Sequence, residues 1–192
     1  MSPVPAFEIG IWNAWIFMIW PLIQNLVIMA NKRLYQRFGG GSDTRPSQTR
    51  NIGSVLSTLL WLLSTAYSIF LPLKLGTIWF PIGLAIFLLG LATITVATID
   101  FATTPIEQPV TKGAYRYSRH PGYAGLVLIY LGVGIASASW IFLIVAIIWA
   151  ILLGISAKDE ERYCLERYGL SYRGYMDRTP RWLGIPRIVK SG

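Results

Sequence analysis

The chain has 192 residues, of which 54% are hydrophobic and 14% charged, whereas soluble domains average about 25% charged residues. This composition predicts one integral-membrane domain over residues 1–192 and argues against a soluble enzyme. The net charge of +8 resides in basic residues that flank apolar stretches, so we attribute it to membrane orientation and anionic lipid and expect no nucleic-acid partner. A single cysteine, Cys164, excludes an intramolecular disulfide, and we expect no metal site.

The first half of the chain, residues 1–99, contains three stretches without charged residues. They cover residues 9–31, 51–73 and 75–99. Each reaches the length of about 20 residues that a bilayer-spanning helix needs. The start, MSPVPAFEIG, has no basic segment, so we expect no cleavable signal peptide. Residues 38–50, FGGGSDTRPSQTR, are predicted to form a flexible polar loop.

A fourth stretch, residues 120–157, also lacks Lys, Arg, Asp and Glu. As one helix it would be about 55 Å long, well beyond a hydrocarbon core of about 30 Å. It is therefore predicted to fold into two helices with a turn in GVGIASAS, residues 132–139, where small residues concentrate. The expected fold is an all-α membrane protein with five transmembrane helices, the last two forming a tight helical hairpin.

The basic residues indicate an orientation for these spans. All of them except Lys74 lie in residues 32–50, in the 100–119 connection or in the tail from residue 158. Five spans would put these three segments on one side of the membrane. The positive-inside rule then places them in the cytoplasm and the N-terminus outside.

The motif SRHPGY opens the hairpin and contains the only histidine of the chain. Pro121 suits the first turn of a helix, which puts His120 at the N-cap. Arg119 and His120 would then lie at a helix terminus that is already partly positive, which favours a bound carboxylate or phosphate as their partner. In the alternative interpretation, Arg119 is a membrane anchor and His120 is a packed polar residue.

The segment AKDEERYCLERYG, residues 157–169, is predicted to continue the fifth helix out of the membrane and to end at Gly169. Glu160 and Glu161 point about 100° apart, so one can face the hairpin while the other is solvated. Pairing with arginines along a surface helix is the alternative. The aromatic residues of the tail are expected mainly in the membrane interface, with one or two free to stack on a ligand; they are Tyr163, Tyr168, Tyr172, Tyr175 and Trp182.

RHPGYAG, followed about forty residues on by EERYCLERYGLSYRGY, resembles the isoprenylcysteine carboxyl methyltransferase family and is similar to the wider set of integral-membrane lipid methyltransferases. The resemblance covers residues 100–192, the catalytic half, and implies a short microbial member. It implies an S-adenosylmethionine cofactor, released as S-adenosylhomocysteine, in a cytoplasmic cap formed by the 100–120 connection and the C-terminal tail.

Individual roles also follow from the resemblance. It places on the adenosine side Gln108, Pro109 and Val110. It assigns to the cofactor wall Tyr115, His120, Pro121, Gly122 and Tyr123. Glu160 would close the cofactor site, and the catalytic residues would be Arg119, His120, Glu160 and Glu161. In this interpretation the cations at the start of the hairpin meet the cofactor carboxylate, a glutamate meets its ammonium, and tyrosine faces meet the sulfonium.

The methyl acceptor is expected to be a carboxylate of an isoprenylcysteine-like or other lipid-like molecule that enters from the bilayer. Ser156 stands where the family would have an arginine for that carboxylate, so a phospholipid-type N-methyltransferase is the alternative. A non-catalytic scaffold or transporter is disfavoured because the first three spans carry no ionisable acid or base. A nicotinamide-dependent reductase is disfavoured because no G-x-G-x-x-G motif occurs. The sequence predicts no oligomeric state.

Overall fold

The computed structural model describes residues 7–31 and 47–186, and its regular secondary structure in these ranges is entirely helical. The α-helices are α1 (Trp15–Ala30), α2 (Ser47–Ser68), α3 (Trp79–Thr103), α4 (Pro121–Ala136), α5 (Trp140–Tyr168) and α6 (Leu170–Arg178). A short 3-10 helix, Gly113–Arg116, lies between α3 and α4. The all-α class is therefore confirmed.

Two helices, α3 and α5, are long and apolar enough to cross a membrane. Three further apolar segments are shorter: α1, the Val55–Ser68 part of α2, and α4. Each predicted span thus contains an apolar helix, while five full crossings stay a prediction. The uncharged part of α5 ends at Ala157, and residues 158–168 are its polar continuation outside the apolar segment.

The first helix begins later than the sequence indicates. Residue 9 was the predicted start, but α1 begins at Trp15 because the preceding residues pair with the link between α2 and α3. The Asn13 side-chain amide donates to the Glu8 and Ile69 carbonyls, both at 2.7 Å, and Ala14 N donates to Leu71 O at 2.8 Å. These bonds tie residues 8–14 to the α2–α3 link in a non-helical arrangement, so α1 does not extend back to residue 9.

The second helix begins earlier than predicted. It starts at Ser47, so the last four residues of the predicted polar loop 38–50 are helical. The first part of that loop lies outside the described residues, as do Arg187 and Lys190 of the tail.

The predicted hairpin is confirmed as α4 and α5, with its turn at residues 137–139, inside the predicted window. Ala138 adopts a φ of 51°, a left-handed conformation that reverses the chain. Ser139 is the N-cap of α5, where its side chain accepts from Phe142 N. A helix cap therefore starts the second arm immediately after the turn.

Glycines let α3 and α4 approach each other closely. A Cβ added to Gly132 would lie 2.6 Å from Phe87 N, and one added to Gly90 would lie 2.8 Å from Gly125 O. Small residues at such a contact are typical of packed membrane helices, because they bring the two backbones together. This contact fixes α4, which begins directly after His120, against the first half and middle of α3.

We expect Gly132→Ala to destabilise the protein by about 1–3 kcal/mol, because the new methyl group overlaps the α3 backbone. The midpoint of thermal unfolding in detergent measures this effect. Gly174→Ala in α6 is the matched control, since an added Cβ there has no heavy atom within 4 Å. Equal midpoints for the two variants would contradict the close contact.

Candidate functional site

The 100–120 connection and the C-terminal tail meet at the start of α4, as the predicted cap requires. We call residues 179–184 the strap. Arg119 N donates to Pro180 O at 3.0 Å, and Gly184 N donates to Tyr117 O at 3.0 Å. Between these two bonds, the Ser118 hydroxyl donates to Arg181 O at 3.2 Å. The strap is therefore attached along the segment that precedes His120.

Other residues of the 100–120 connection contact the ends of α3 and α5. Asp100, near the end of α3, accepts from Ala114 N at 2.9 Å. Gly113 has a φ of 55°, and an added Cβ would overlap the Asp100 carboxylate. Farther along the chain, Tyr168 OH donates to Ile106 O at 3.0 Å. These contacts fix the connection against the ends of α3 and α5.

Two of the tail tyrosines, most of which were expected in the membrane interface, lie in the cap interior. Tyr172 is 5% exposed and Tyr175 is 3% exposed. Tyr175 OH donates to Tyr115 O at 2.7 Å, which ties α6 to the connection. Gly169, with a φ of 56°, separates α5 from α6, and α6 carries both buried rings.

His120 is the N-cap of α4 and Pro121 occupies its first turn, as predicted. The imidazole is buried between two carboxylates: Nδ1 lies 3.3 Å from Glu160 Oε2, and Nε2 lies 3.2 Å from Glu161 Oε1. Tyr123 stacks on the ring with centroids 5.2 Å apart, and Trp182 of the strap lies at 6.2 Å in a tilted arrangement. A ring with a carboxylate at each nitrogen is best satisfied when both nitrogens carry protons.

Glu161 is the centre of an ion cluster and is only 3% exposed. Arg181 contacts both of its oxygens, with Nε 3.0 Å from Oε1 and Nη2 2.6 Å from Oε2. Arg119 Nε approaches Oε1 at 3.2 Å without the alignment of a hydrogen bond. His120 completes the set of cationic neighbours.

Glu161 places an anion from within the chain beside Arg119 and His120, where the sequence predicted a ligand carboxylate or phosphate. That a ligand also meets these cations stays a prediction. The roles of the two glutamates differ as well. Glu161 faces inward and is neutralised by arginines, whereas the Glu160 side chain is 41% exposed and has His120 as its cationic contact among the described residues. Their different directions follow from the rotation of about 100° per helical residue.

The charges in the cluster shift two pKa values. Burial by itself would lower the pKa of His120, but hydrogen bonds and charge from Glu160 and Glu161 outweigh it and raise the pKa above its ordinary value. Burial by itself would raise the pKa of Glu161, but hydrogen bonds from His120 and Arg181, with the charges of Arg119 and Arg181, lower it to about 2. Glu161 is therefore ionised at neutral pH and favours a protonated His120.

We expect thermal stability to fall as the pH rises above 6.5. A raised pKa in the folded state means that the stabilising proton on His120 is fully present below the unfolded value of about 6.5 and is lost as the pH rises through the folded value. Melting temperature in detergent between pH 6 and 9 measures this loss, and about 1 kcal/mol corresponds to ~2–4 °C for a chain of this size. His120→Gln has no titrating ring, so the same fall in that variant would contradict the assignment.

A cavity of about 1050 Å³ opens beside this cluster and extends between the helices. Among its lining residues are most of those predicted for the cofactor and for catalysis: Pro109, Val110, Tyr115, Arg119, His120, Gly122, Tyr123 and Glu160. Three predicted residues do not line it. Gln108 is exposed, Pro121 is fully buried in the α4 turn, and Glu161 lies behind His120.

Cys164 also lines this cavity. Burial is the largest of the effects that raise the pKa of its thiol to about 12. The residue therefore remains a neutral thiol at physiological pH, which argues against a nucleophilic role. Within residues 7–31 and 47–186, no group of three His, Cys, Asp or Glu side chains could hold a metal ion.

Arg181 is the site residue that the sequence did not indicate. It lies twenty residues beyond its partner Glu161, in a segment without helical periodicity. The only local signal is PRW, a basic residue between a proline and a tryptophan, which resembles an ordinary membrane-interface sequence.

Taken together, the fold and the site define a class: an all-helical protein with helices long enough to cross a membrane, and a buried His–Glu cluster under a cap beside a large cavity. A family model described as phospholipid methyltransferase matches residues 73–171, just over half of the chain. The chain therefore belongs to this family, which is that of the membrane methyltransferases similar to isoprenylcysteine carboxyl methyltransferases. No curated protein and no solved structure compared with the chain matches it.

The matched segment includes α3, the connection, the hairpin and the His120–Glu161 pair. It ends before α6 is complete, so Arg181 and Trp182 lie beyond it. The resemblance drawn from RHPGYAG and the glutamate pair is thus confirmed at the level of the family.

Proposed function

We propose that this protein transfers a methyl group from S-adenosylmethionine to a lipophilic acceptor at the membrane surface. The observation that best supports this function is the mixed character of the cavity. Its walls include the polar side chains of His120 and Glu160 together with the apolar Trp61, Leu126 and Leu153. One cavity thus offers polar groups to a charged donor and apolar walls to a lipid chain.

The residues in the cavity fit the donor. S-adenosylmethionine has an ammonium, a carboxylate, a sulfonium and a purine, and it would supply an electrophilic methyl group whose bond to sulfur breaks as the acceptor lone pair forms the new bond. The arginines of the cluster pair with Glu161 and not with Glu160, so the Glu160 carboxylate would hold the ammonium. The faces of Tyr123 and Tyr115 suit the sulfonium, and Pro109 and Val110 offer an apolar wall to the purine.

The donor carboxylate finds a positive environment in the same cluster. Arg119, Arg181 and a protonated His120 stand against two glutamates, so the cluster retains an excess of positive charge. Glu161 offsets only part of this charge and keeps His120 protonated. The chain's own contribution is then to bind and orient the two reactants and to exclude water from them.

The acceptor we favour is a carboxylate on a lipid-like molecule that enters sideways from the bilayer. A carboxylate needs no general base, and His120, already protonated between two glutamates, is not free to accept a proton. A phospholipid-type amine is the second candidate. It is supported by the description of the matched family and by Asp159 and Glu160, two carboxylates in the cavity lining that suit an ammonium headgroup.

We also propose a multi-pass arrangement with the N-terminus outside and the cap and C-terminus in the cytoplasm. The distribution of basic residues supports it, because all but Lys74 lie in segments that five crossings would put on one side. The proposed partners are membrane lipid and the lipophilic substrate, and no nucleic acid. Protease accessibility of the tail in sealed vesicles of known orientation tests this topology.

Labelled methyl transfer tests the proposed function. Purified protein in lipid nanodiscs is incubated with methyl-labelled S-adenosylmethionine and a total lipid extract, and the labelled lipid is then treated with base. Release of labelled methanol identifies an ester and hence a carboxylate acceptor, whereas retained label identifies an amine. An absence of lipid labelling, together with no binding of S-adenosylhomocysteine by calorimetry, would overturn the function.

A further inference from the structure

The strap places two consecutive side chains on the His120 cluster. Arg181 pairs with the Glu161 carboxylate, and Trp182 packs against the imidazole itself. The backbone of the strap is held to residues 117–119 on both sides of this pair. The strap is thus attached to the site through backbone and side-chain contacts together.

Arg181 differs from the other cationic neighbours of Glu161. His120 and Arg119 both approach Oε1, whereas Arg181 contacts both oxygens through Nε and Nη2. A single contact leaves a carboxylate free to rotate about its last bond, but a two-point guanidinium contact fixes its plane. The direction in which Oε1 faces His120 Nε2 is therefore set from the strap.

The orientation of Glu161 is passed on to the imidazole. With Nε2 held at Glu161 Oε1, the opposite nitrogen, Nδ1, lies toward Glu160 Oε2 at 3.3 Å in the cavity wall. Tyr123, stacked on the imidazole, and Trp182, tilted beside it, restrict rotation of the His120 ring.

We infer that Arg181 is a positioning residue: the strap brings it to Glu161, and through the fixed carboxylate it orients His120 toward Glu160 and the cavity. Arg181 is not among the residues that line the cavity and its side chain pairs with Glu161, so we expect its effect on His120 to pass through Glu161. Only the expected effect of Arg181 on donor binding rests on the proposed function; its effect on the orientation of His120 does not.

The single histidine makes this inference measurable. In the full-length protein labelled with isotopic histidine, the ring signals of His120 are followed by NMR against pH in detergent, without cofactor. The charged or titratable groups around the ring are Glu160 and Glu161 from α5, Arg119 beside it, Tyr123 on α4, Tyr172 and Tyr175 on α6, and Arg181 on the strap.

Arg181→Gln removes a cation and leaves Glu161 less neutralised, so we expect the pKa of His120 to rise and the ring signals to broaden or shift. We also expect S-adenosylhomocysteine to bind about 10-fold more weakly, as for the loss of one charged hydrogen-bonded contact. Arg181→Lys should recover the pKa in part, because an ammonium restores the charge without the planar fork. Arg178→Gln is the matched control, since its exposed guanidinium donates within α6, to Gly174 O.

The inference is overturned when Arg181→Gln and Arg178→Gln give the same His120 titration. Where Arg181→Gln does not fold, Arg181→Lys is compared with Arg178→Lys, and equal titrations again overturn it. The titration needs no ligand, so it decides the role of Arg181 even if the wild type binds no S-adenosylhomocysteine, a result that would count against the proposed function alone.

Discussion

Glu161→Gln is expected to destabilise the protein by about 3–5 kcal/mol, the range for removing one partner from a buried ion pair. The carboxylate is 3% exposed and lies within 3.2 Å of Arg119, His120 and Arg181. A neutral amide would leave these three groups close together without an anion among them. It would also present an N–H to groups that are themselves donors. Thermal and denaturant unfolding in detergent measure the loss.

Glu166→Gln is the matched control for Glu161→Gln. It makes the same chemical change on the same helix, at a position that the structure shows to be exposed. We expect it to change stability by less than about 0.5 kcal/mol, as surface substitutions usually do. A Glu161→Gln protein as stable as the Glu166→Gln protein would mean that the buried cluster does not hold the strap in place.

Glu160→Gln is expected to affect ligand binding far more than stability. The Glu160 side chain is partly exposed in the cavity wall and lies 3.3 Å from His120. Among the described residues, the imidazole is therefore the one buried group whose contact the substitution changes. If Glu160 holds the donor ammonium, the affinity for S-adenosylhomocysteine should fall about 10- to 100-fold, as for the loss of a charged hydrogen-bonded pair. Calorimetry in detergent measures the affinity.

The two glutamate variants are informative as a pair. We expect Glu160→Gln to melt near the wild-type temperature and to bind weakly, and Glu161→Gln to melt much earlier. Glu166→Gln serves again as the reference, with wild-type binding and wild-type melting. Unchanged affinity in Glu160→Gln would place the donor elsewhere in the cavity, for example near Asp159 or Arg167, which also line it.

The neighbouring residues Glu160 and Glu161 have different surroundings in the cluster. One helical step separates a carboxylate that is neutralised inside the protein from one that faces the cavity. Both carboxylates raise the pKa of His120, but Glu161 is buried against arginines whereas Glu160 stays partly exposed. Adjacent acidic residues on one helix can therefore serve structure and binding separately, because successive side chains point about 100° apart.

The local features of the fold followed from the sequence alone. Uncharged stretches predicted the apolar helices, and the excessive length of residues 120–157 predicted a hairpin whose turn lies at residues 137–139. Pro121 predicted the start of α4 with His120 at its cap, and Gly169, with a φ of 56°, ends α5 as expected. These features depend on backbone preferences and on transfer of side chains out of water, both of which are properties of a few consecutive residues.

Contacts between distant segments were decided only by the tertiary structure. The sequence put an anion beside Arg119 and His120 but assigned it to a ligand, whereas the fold brings Glu161 there from forty-one residues away. It gave no role to Arg181, and it did not indicate that Tyr172 and Tyr175 are the tail tyrosines that the cap buries. A charged or aromatic side chain has the same local signature whether it meets solvent, lipid or another segment, and its partner depends on how the helices and the strap pack.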